Sequence, residues 1–261
     1  MPRFFVPTEN ILSEEGVPVK IKITGTDVNH IKNVLRMAEG DAFAVCDSRG
    51  TEYMCVLGKS SKTCVEADIV SFGSSDAEPK VPLVLIQGVP KGDKMELIIQ
   101  KCVELGADSF IPCVTERTVV RFHSDEEREK KCVRWQRISL EAAKQCGRGR
   151  IPPVETPKDF SEVISHLGEK LPKYLLLMPY ENETSVTLKE TLKRYFGGDV
   201  KETERPAGIA VFIGPEGGFS AEEVETAREH GFHSVTLGKR ILRTETAGLA
   251  TAAAIRYELG D

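Results

Sequence analysis

Ile213-Gly214-Pro215-Glu216-Gly217-Gly218-Phe219-Ser220 is the stretch on which the fold turns. It ends the apolar run Gly208 to Ile213 and leads into Ser220-Ala221-Glu222-Glu223, where Ser220 caps a helix and Glu223 answers at the third helical position. A buried strand, a glycine- and proline-bearing loop and a capped helix, in that order, predict one unit of an α/β sheet. The loop then lies at the carboxyl end of its strand, where open α/β sheets take their ligands. Glycine lets backbone approach such a ligand closely. The loop is neither G-x-G-x-x-G nor G-x-x-x-x-G-K-[ST], so dinucleotide and phosphate-loop fingerprints do not apply. On pattern alone it reads either as a pocket wall or as a tight strand–helix turn.

Outward from this loop the same grammar holds back to Val81. Apolar strands over Val81 to Val89, Phe110 to Val114, Leu171 to Met178 and Ser234 to Leu237 alternate with helices over Lys91 to Leu105, Glu126 to Gln145, Ser185 to Tyr195 and Thr244 to Tyr257. This alternation predicts a mainly parallel sheet. Lys91 to Leu105 offers Met95, Ile98, Ile99, Cys102 and Val103 to a core, and Gly106 ends it; Glu126 to Gln145 offers Val133, Ile138, Leu140 and Ala143. Before residue 72 the pattern changes. Five short runs rich in Val, Ile, Phe and Tyr, broken by Gly and Ser clusters, predict a small β-barrel domain over 1–72, with one helix over Asn29 to Met37 burying Ile31, Val34 and Leu35. Ser71 to Lys80 is polar, full of breakers and read as a linker, so the second domain is placed at 73–261.

Composition narrows the function. The chain has 261 residues, 40% of them hydrophobic, enough for real cores. No apolar run approaches the roughly 18 residues that span a membrane, and Met1 to Val6 lacks the pattern of a signal peptide. A formal charge of −5 excludes a polybasic binder and leaves a local basic patch open. Seven cysteines, an odd number with no C-x-x-C, fit scattered thiols of a reducing compartment, the cytoplasm, and no metal site.

Two further segments carry chemistry. Leu237-Gly238-Lys239-Arg240-Ile241-Leu242-Arg243-Thr244-Glu245-Thr246-Ala247 leaves a strand and enters a helix, with Thr244 as its cap and Arg243 and Glu245 at the same sheet edge; the two charges read as an ion pair or as groups facing a ligand. Glu141-Ala142-Ala143-Lys144-Gln145-Cys146-Gly147-Arg148-Gly149-Arg150 ends a helix in a basic loop, where Arg148 and Arg150 suit phosphate or a base edge.

These three segments together resemble a known family, the bacterial small-subunit ribosomal RNA uridine N3-methyltransferases of the RsmE type, in the SPOUT superfamily. His30 with Val34-Leu35-Arg36, Lys91, Lys101, Glu104-Leu105-Gly106 and Gln145 extend the resemblance over essentially the whole chain. Arg117 after Glu116, and Cys146 after Gln145, depart from the family pattern; neither is expected to touch the cofactor loops. The resemblance implies a PUA-like β-barrel ahead of an α/β SPOUT domain with a deep C-terminal trefoil knot, a homodimer, and S-adenosyl-L-methionine as cofactor. It implies three cofactor loops: Leu176 through Glu181, with Leu176, Met178 and Pro179 as contacts; Ile213 through Gly218, with Ile213, Gly214, Pro215, Glu216, Gly217 and Gly218; and Leu237 through Leu242, with Leu237, Gly238, Ile241 and Leu242. The implied substrate is a uridine of 16S rRNA in the assembled small ribosomal subunit, methylated at N3. Arg148, with Arg243 second, is assigned to the uracil imide anion, Glu245 or Glu216 to its proton, and Arg3, His30, Arg36 and Arg150 to RNA. Left open are another RNA or base atom, a nonenzymatic RNA-binding module and a small-molecule methyltransferase.

Overall fold

The computed structural model describes residues 1–260, the side chains of Gly168 and Glu169 apart. It divides into two compact units, 1–78 with 143–151, and 79–142 with 152 onward.

The first unit is a six-stranded sheet built from β1 (Arg3–Phe5), β2 (Ile11–Glu14), β3 (Val17–Thr24), β4 (Ala42–Cys46), β5 (Thr51–Ser60) and β6 (Cys64–Ser74). Its order is β1-β4-β5-β6-β3-β2, antiparallel except for the β1–β4 pair. Alternate residues such as Ile21, Ile23, Phe43, Val45, Val65 and Ala67 face one core, as period-two strands require. The segment read as a linker is partly strand: Thr51 pairs Ser74 and Tyr53 pairs Phe72, so ladder bonds extend β6 through polar residues. Residues 73–78 and 143–151, assigned from the sequence to the second domain, belong to this unit.

The helix expected over Asn29 to Met37 begins and ends three residues earlier and is wider in its second half. α1 (Thr26–Asn29) passes into a π-helical turn over His30–Val34, and Arg36 sits at φ +52°. Each extra residue in a π turn rotates the apolar face, so Ile31 is buried while Val34 and Leu35 stand exposed.

The second unit is a wholly parallel sheet between helices. In chain order it contains β7 (Leu83–Gly88), α2 (Lys94–Glu104), β8 (Ser109–Val114), α3 (Asp125–Cys146, its last turn belonging to the first unit), β9 (Lys158–Asp159), α4 (Phe160–Lys170), β10 (Tyr174–Pro179), α5 (Leu188–Phe196), β11 (Gly208–Ile213), α6 (Ala221–Glu229), β12 (His233–Val235) and α7 (Thr244–Leu259). The strand order is β12-β10-β11-β7-β8-β9. β7 and β11 are buried at every position, as central strands covered on both faces must be. α2 buries the five residues expected of it. α3 does so only in part: Ala143 is buried and Ile138 and Leu140 are half-buried, but Val133 is exposed, and Trp135, Ser139 and Ala142 face inward, because the long helix turns a different stripe to its neighbours. α4 went unread, although Val163, Ile164 and Leu167 give it a helical stripe that joins the core. Among the described residues no helix is long and apolar enough to cross a membrane.

Candidate functional site

The carboxyl ends of β10, β11 and β12, three neighbouring strands, open onto one cavity of about 460 Å³. That is the size range of small-molecule and cofactor pockets. Pro179 to Glu181 form one wall, Ile213 to Phe219 a second and Thr236 to Thr244 a third, with Lys94 of α2 and Ala247 of α7 closing it.

Local chemistry shapes each wall. In the second, Gly218 N–H donates to Pro215 O at 3.0 Å, closing a turn that needs Gly218 at φ +65°. Ser220 then starts α6 with the predicted capping box: its hydroxyl accepts from Glu223 N–H at 3.3 Å, and the Glu223 carboxylate accepts from Ser220 N–H at 2.9 Å. The same carboxylate accepts from Glu116 N–H at 2.7 Å, tying in the loop after β8. In the third wall Gly238 holds φ +110°, and a side chain there would project into open space with nothing within 4 Å. That opening lets a ligand lie against bare backbone. Behind the walls, β7 presses on the glycine loop: a Cβ on Gly88 would stand 2.5 Å from Pro215 Cδ.

Charge is concentrated at the α2 side. Lys94 Nζ lies 3.0 Å from Glu216 Oε1 and 3.3 Å from Glu245 Oε2. Glu216 also accepts from Lys91 N–H at 3.1 Å. Burial alone would raise the Glu216 carboxyl, but the Lys94 ammonium and backbone N–H groups outweigh it and hold it below the usual range. The hydrogen bond that Lys94 donates to Glu216 raises the ammonium in turn. Glu245 therefore pairs with Lys94 and not with Arg243.

Of the residues singled out from sequence, Pro179, Ile213 to Gly218, Leu237, Gly238, Ile241, Leu242 and Arg243 line this cavity. Met178 is fully buried in the core and Leu176 packs against it, because alternate β10 side chains point into the layers beside the sheet. Thr244 does not cap α7. Arg243 occupies the N-cap without a side-chain bond, and the Thr244 hydroxyl donates instead to Gly214 O at 2.6 Å. Arg117 does touch the glycine loop, donating to Gly217 O at 3.1 Å. Tyr180 and Glu181, the end of the loop expected over Leu176 to Glu181, line the cavity too; Lys94 was missed, because it meets the pocket from α2 through contacts distant in sequence.

In the first unit, Arg148 is 3% exposed. Its Nη2 donates to Glu78 Oε2 at 2.6 Å, and Glu78 Oε1 accepts from the N–H groups of Gly149 at 2.8 Å and Arg150 at 3.1 Å. Burial alone would raise the Glu78 carboxyl; Arg148 and the two backbone donors lower it past its ordinary value. Arg3 forms a two-pronged pair with Glu52 at 2.8 and 3.0 Å. His30 stands edge-on to Phe4, while Arg36 and Arg150 are exposed. All seven cysteines are free thiols, and burial pushes Cys46 up to about 11 and Cys102 up to about 12. Among the described residues no three His, Cys, Asp or Glu side chains gather as metal ligands.

Comparison with known proteins agrees with this architecture. Residues 77–256 match the family described as RNA methyltransferase domain, and residues 23–70 match RNA methyltransferase PUA domain. The chain is 35% identical to the ribosomal RNA small subunit methyltransferase E of Bacillus subtilis, covering 99% of this chain and 97% of that one. It is 33% identical to the protein of the same name from Synechocystis, over 94% and 75% of the two. A Neisseria gonorrhoeae ribosomal RNA small subunit methyltransferase E, solved bound to S-adenosyl methionine, superposes with a TM-score of 0.79 at 33% identity, covering 98% and 97%. A Legionella pneumophila methyltransferase in complex with the same cofactor gives 0.79 at 28% identity, covering 98% and 96%. The chain, an α/β methyltransferase fold with a PUA-like N-terminal region, therefore belongs to the ribosomal RNA small subunit methyltransferase E family.

Proposed function

We propose that this protein uses S-adenosyl-L-methionine to methylate N3 of a uridine in 16S rRNA of the assembled small ribosomal subunit. The observation that carries the reading is the cavity at the ends of β10, β11 and β12, walled by glycine loops in a member of this family. The bare backbone at Gly238 and the turn at Gly214 to Gly218 suit an adenosine and an amino-acid chain laid against main-chain groups. When bound, the cofactor supplies an electrophilic methyl carbon.

The chain's own residues then have three tasks: to hold the base, to accept its N3 proton and to stabilise the anion that results. Arg243 stands at the N-terminus of the 16-residue α7, where guanidinium and helix dipole both favour negative charge on a uracil oxygen. Arg148, the first choice from sequence, has its guanidinium committed to Glu78, so the proposal gives the anion to Arg243 and loop support to Arg148. Glu216 lines the cavity and Glu245 does not, which favours Glu216 as proton acceptor. A carboxylate held low is a weak base, so its part depends on Arg243 stabilising the anion. N3 of a paired base is inaccessible, and the target uridine is unpaired or flipped.

The first unit is assigned to RNA, through exposed Arg36 and Arg150. A knotted path is proposed on the strand order: the chain leaves β10, inserts β11 between β10 and β7, and returns to β12 beyond β10. A homodimer is proposed, with exposed Ile241 and Tyr257 available to a second copy. The free thiols support a cytoplasmic setting.

The test is transfer of labelled methyl from S-adenosylmethionine to small subunits lacking the modification, beside naked 16S rRNA. Label recovered as 3-methyluridine from the assembled subunit is expected. Label on another base atom or RNA would redirect the substrate assignment, and folded protein that neither transfers methyl nor binds cofactor would remove the enzymatic one.

A further inference from the structure

Gln87 is the penultimate residue of the run Leu83 to Gly88, in which every residue is buried, and it is the only polar side chain of that strand. It is 0% exposed. A leucine or valine would continue the apolar strand and avoid burying an amide, so the choice of glutamine needs a reason. Its hydrogen bonds supply one. Nε2 donates to Gly88 O at 2.9 Å and to Thr244 Oγ1 at 2.9 Å, using both amide hydrogens. The Thr244 hydroxyl accepts that bond and spends its single hydrogen on Gly214 O at 2.6 Å. Gly214 O also lies 3.5 Å from Nε2. With two carbonyl oxygens on this side, the NH₂ end must face them, so the amide orientation follows from its neighbours.

The result is a directional relay: amide to hydroxyl to carbonyl. It joins three segments, the end of β7, the glycine loop after β11 and the first turn of α7. Gly214 and Thr244 belong to two different walls of the cavity, while Gln87 itself does not line it. Meanwhile Gln87 Oε1 is buried with no hydrogen-bond partner among the described residues. A buried acceptor left unmade is unusual and unfavourable. The donor end alone is used, and it is used on the pocket walls.

We infer that Gln87 is a positioning residue for the cofactor pocket, fixing through Thr244 the separation between the Gly214 loop and the start of α7. This rests on the pocket being the S-adenosylmethionine site. Gln87 touches no reacting group and acts through the two walls it ties together.

The experiment compares wild type with Gln87→Met, Thr244→Val, the double variant and Thr244→Ser, all as full-length protein. Cofactor Kd is read by calorimetry with S-adenosylmethionine, kcat and KM by methyl transfer to small subunits, and folding by thermal melts. The relay predicts that Gln87→Met and Thr244→Val each weaken cofactor binding about tenfold, the loss expected for one hydrogen bond. kcat falls with it, and KM for the subunit stays unchanged. The double variant is no worse than either single one, because both break the same relay. Thr244→Ser, which keeps the hydroxyl, recovers most of the affinity lost in Thr244→Val. Variants that melt earlier but bind cofactor as wild type does would overturn the inference and leave the pocket assignment standing. Wild type that binds no cofactor would overturn the pocket assignment itself. Should Gln87→Met fail to fold, the Thr244 pair decides: equal affinity of the valine and serine variants refutes the relay.

Discussion

Replacing Gly88 by alanine places a methyl group 2.5 Å from Pro215 Cδ and 2.6 Å from Pro215 N. Carbon contacts relax at about 3.5–4.0 Å, so one side must retreat by roughly 1 Å. Gly88 has little room to do so, since it pairs Cys113 of β8 in a central strand that β11 flanks on its other side. The Pro215 turn, whose neighbours line the cavity, is the part that moves. Forcing a methyl into such a contact costs about 1–3 kcal/mol, which for a domain of this size lowers Tm by roughly 2–12 °C. The larger effect falls on activity, because a displacement of about 1 Å in a positioned site can reduce turnover on the order of a hundredfold. The assay is methyl transfer to small ribosomal subunits at saturating S-adenosylmethionine, with cofactor Kd by calorimetry and Tm by scanning calorimetry on the same preparation. A well-folded Gly88→Ala protein with wild-type turnover and affinity would refute the claim that β7 braces the Pro215 loop.

Glu78→Gln should destabilise the protein by about 3 kcal/mol at neutral pH, by removing the Glu78 charge from the buried Arg148 guanidinium; urea unfolding measures it. The folded carboxyl lies below its ordinary 4.5, so its contribution is fully present above that value and is lost as pH falls through the lower, folded one. The wild type should therefore lose stability on acidification below about pH 4.5 more steeply than the variant, and parallel acid limbs would count against the pairing. Lys94→Met removes the cation shared by Glu216 and Glu245, and the Glu216 carboxyl should titrate closer to 4.5 by carbon-detected NMR; an unmoved titration would deny the contact. Arg243→Ala should lower kcat on the order of a hundredfold while cofactor affinity holds, and parallel loss of both would make Arg243 a binding residue instead.

How far the sequence could be read depended on the range of the forces involved. The strand Gly208 to Ile213 and the Ser220–Glu223 box were legible because apolar continuity and helix capping act within a few residues. The loops at Gly214 and Gly238 were legible as well, since glycine at a strand end reports a backbone need. Long-range pairing was not. β6 runs on to Ser74 because β5 supplies ladder partners, which no local preference of Ser71 or Gly73 announces. β2 went unseen as a short edge strand with one half-buried residue and three exposed ones. Arg148, expected to face the base, and Arg3, expected to face RNA, are held by Glu78 and Glu52, 70 and 49 residues away. Thr244 looked like a cap because threonine favours that position, yet its hydroxyl goes to a carbonyl 30 residues earlier. The π turn at His30–Val34 defeated a 3.6-residue period and put Val34 outside.

The tie between Gln87 and Thr244 also sets an order of events in the life of the molecule. The two residues are 157 positions apart, and Arg256 reaches back 175 positions to Val81. At synthesis rates of about 5–20 residues per second, roughly 8–30 s separate the first partner's emergence from the second's. Through that interval the Gln87 amide lacks the Thr244 hydroxyl that carries its bond on to the glycine loop. The nascent chain can assemble its first sheet early, but the pocket closes only when α7 arrives. Truncation just before α7, which leaves all six strands of the second sheet in place, should therefore yield a protein that retains much of its sheet and has no place for a cofactor.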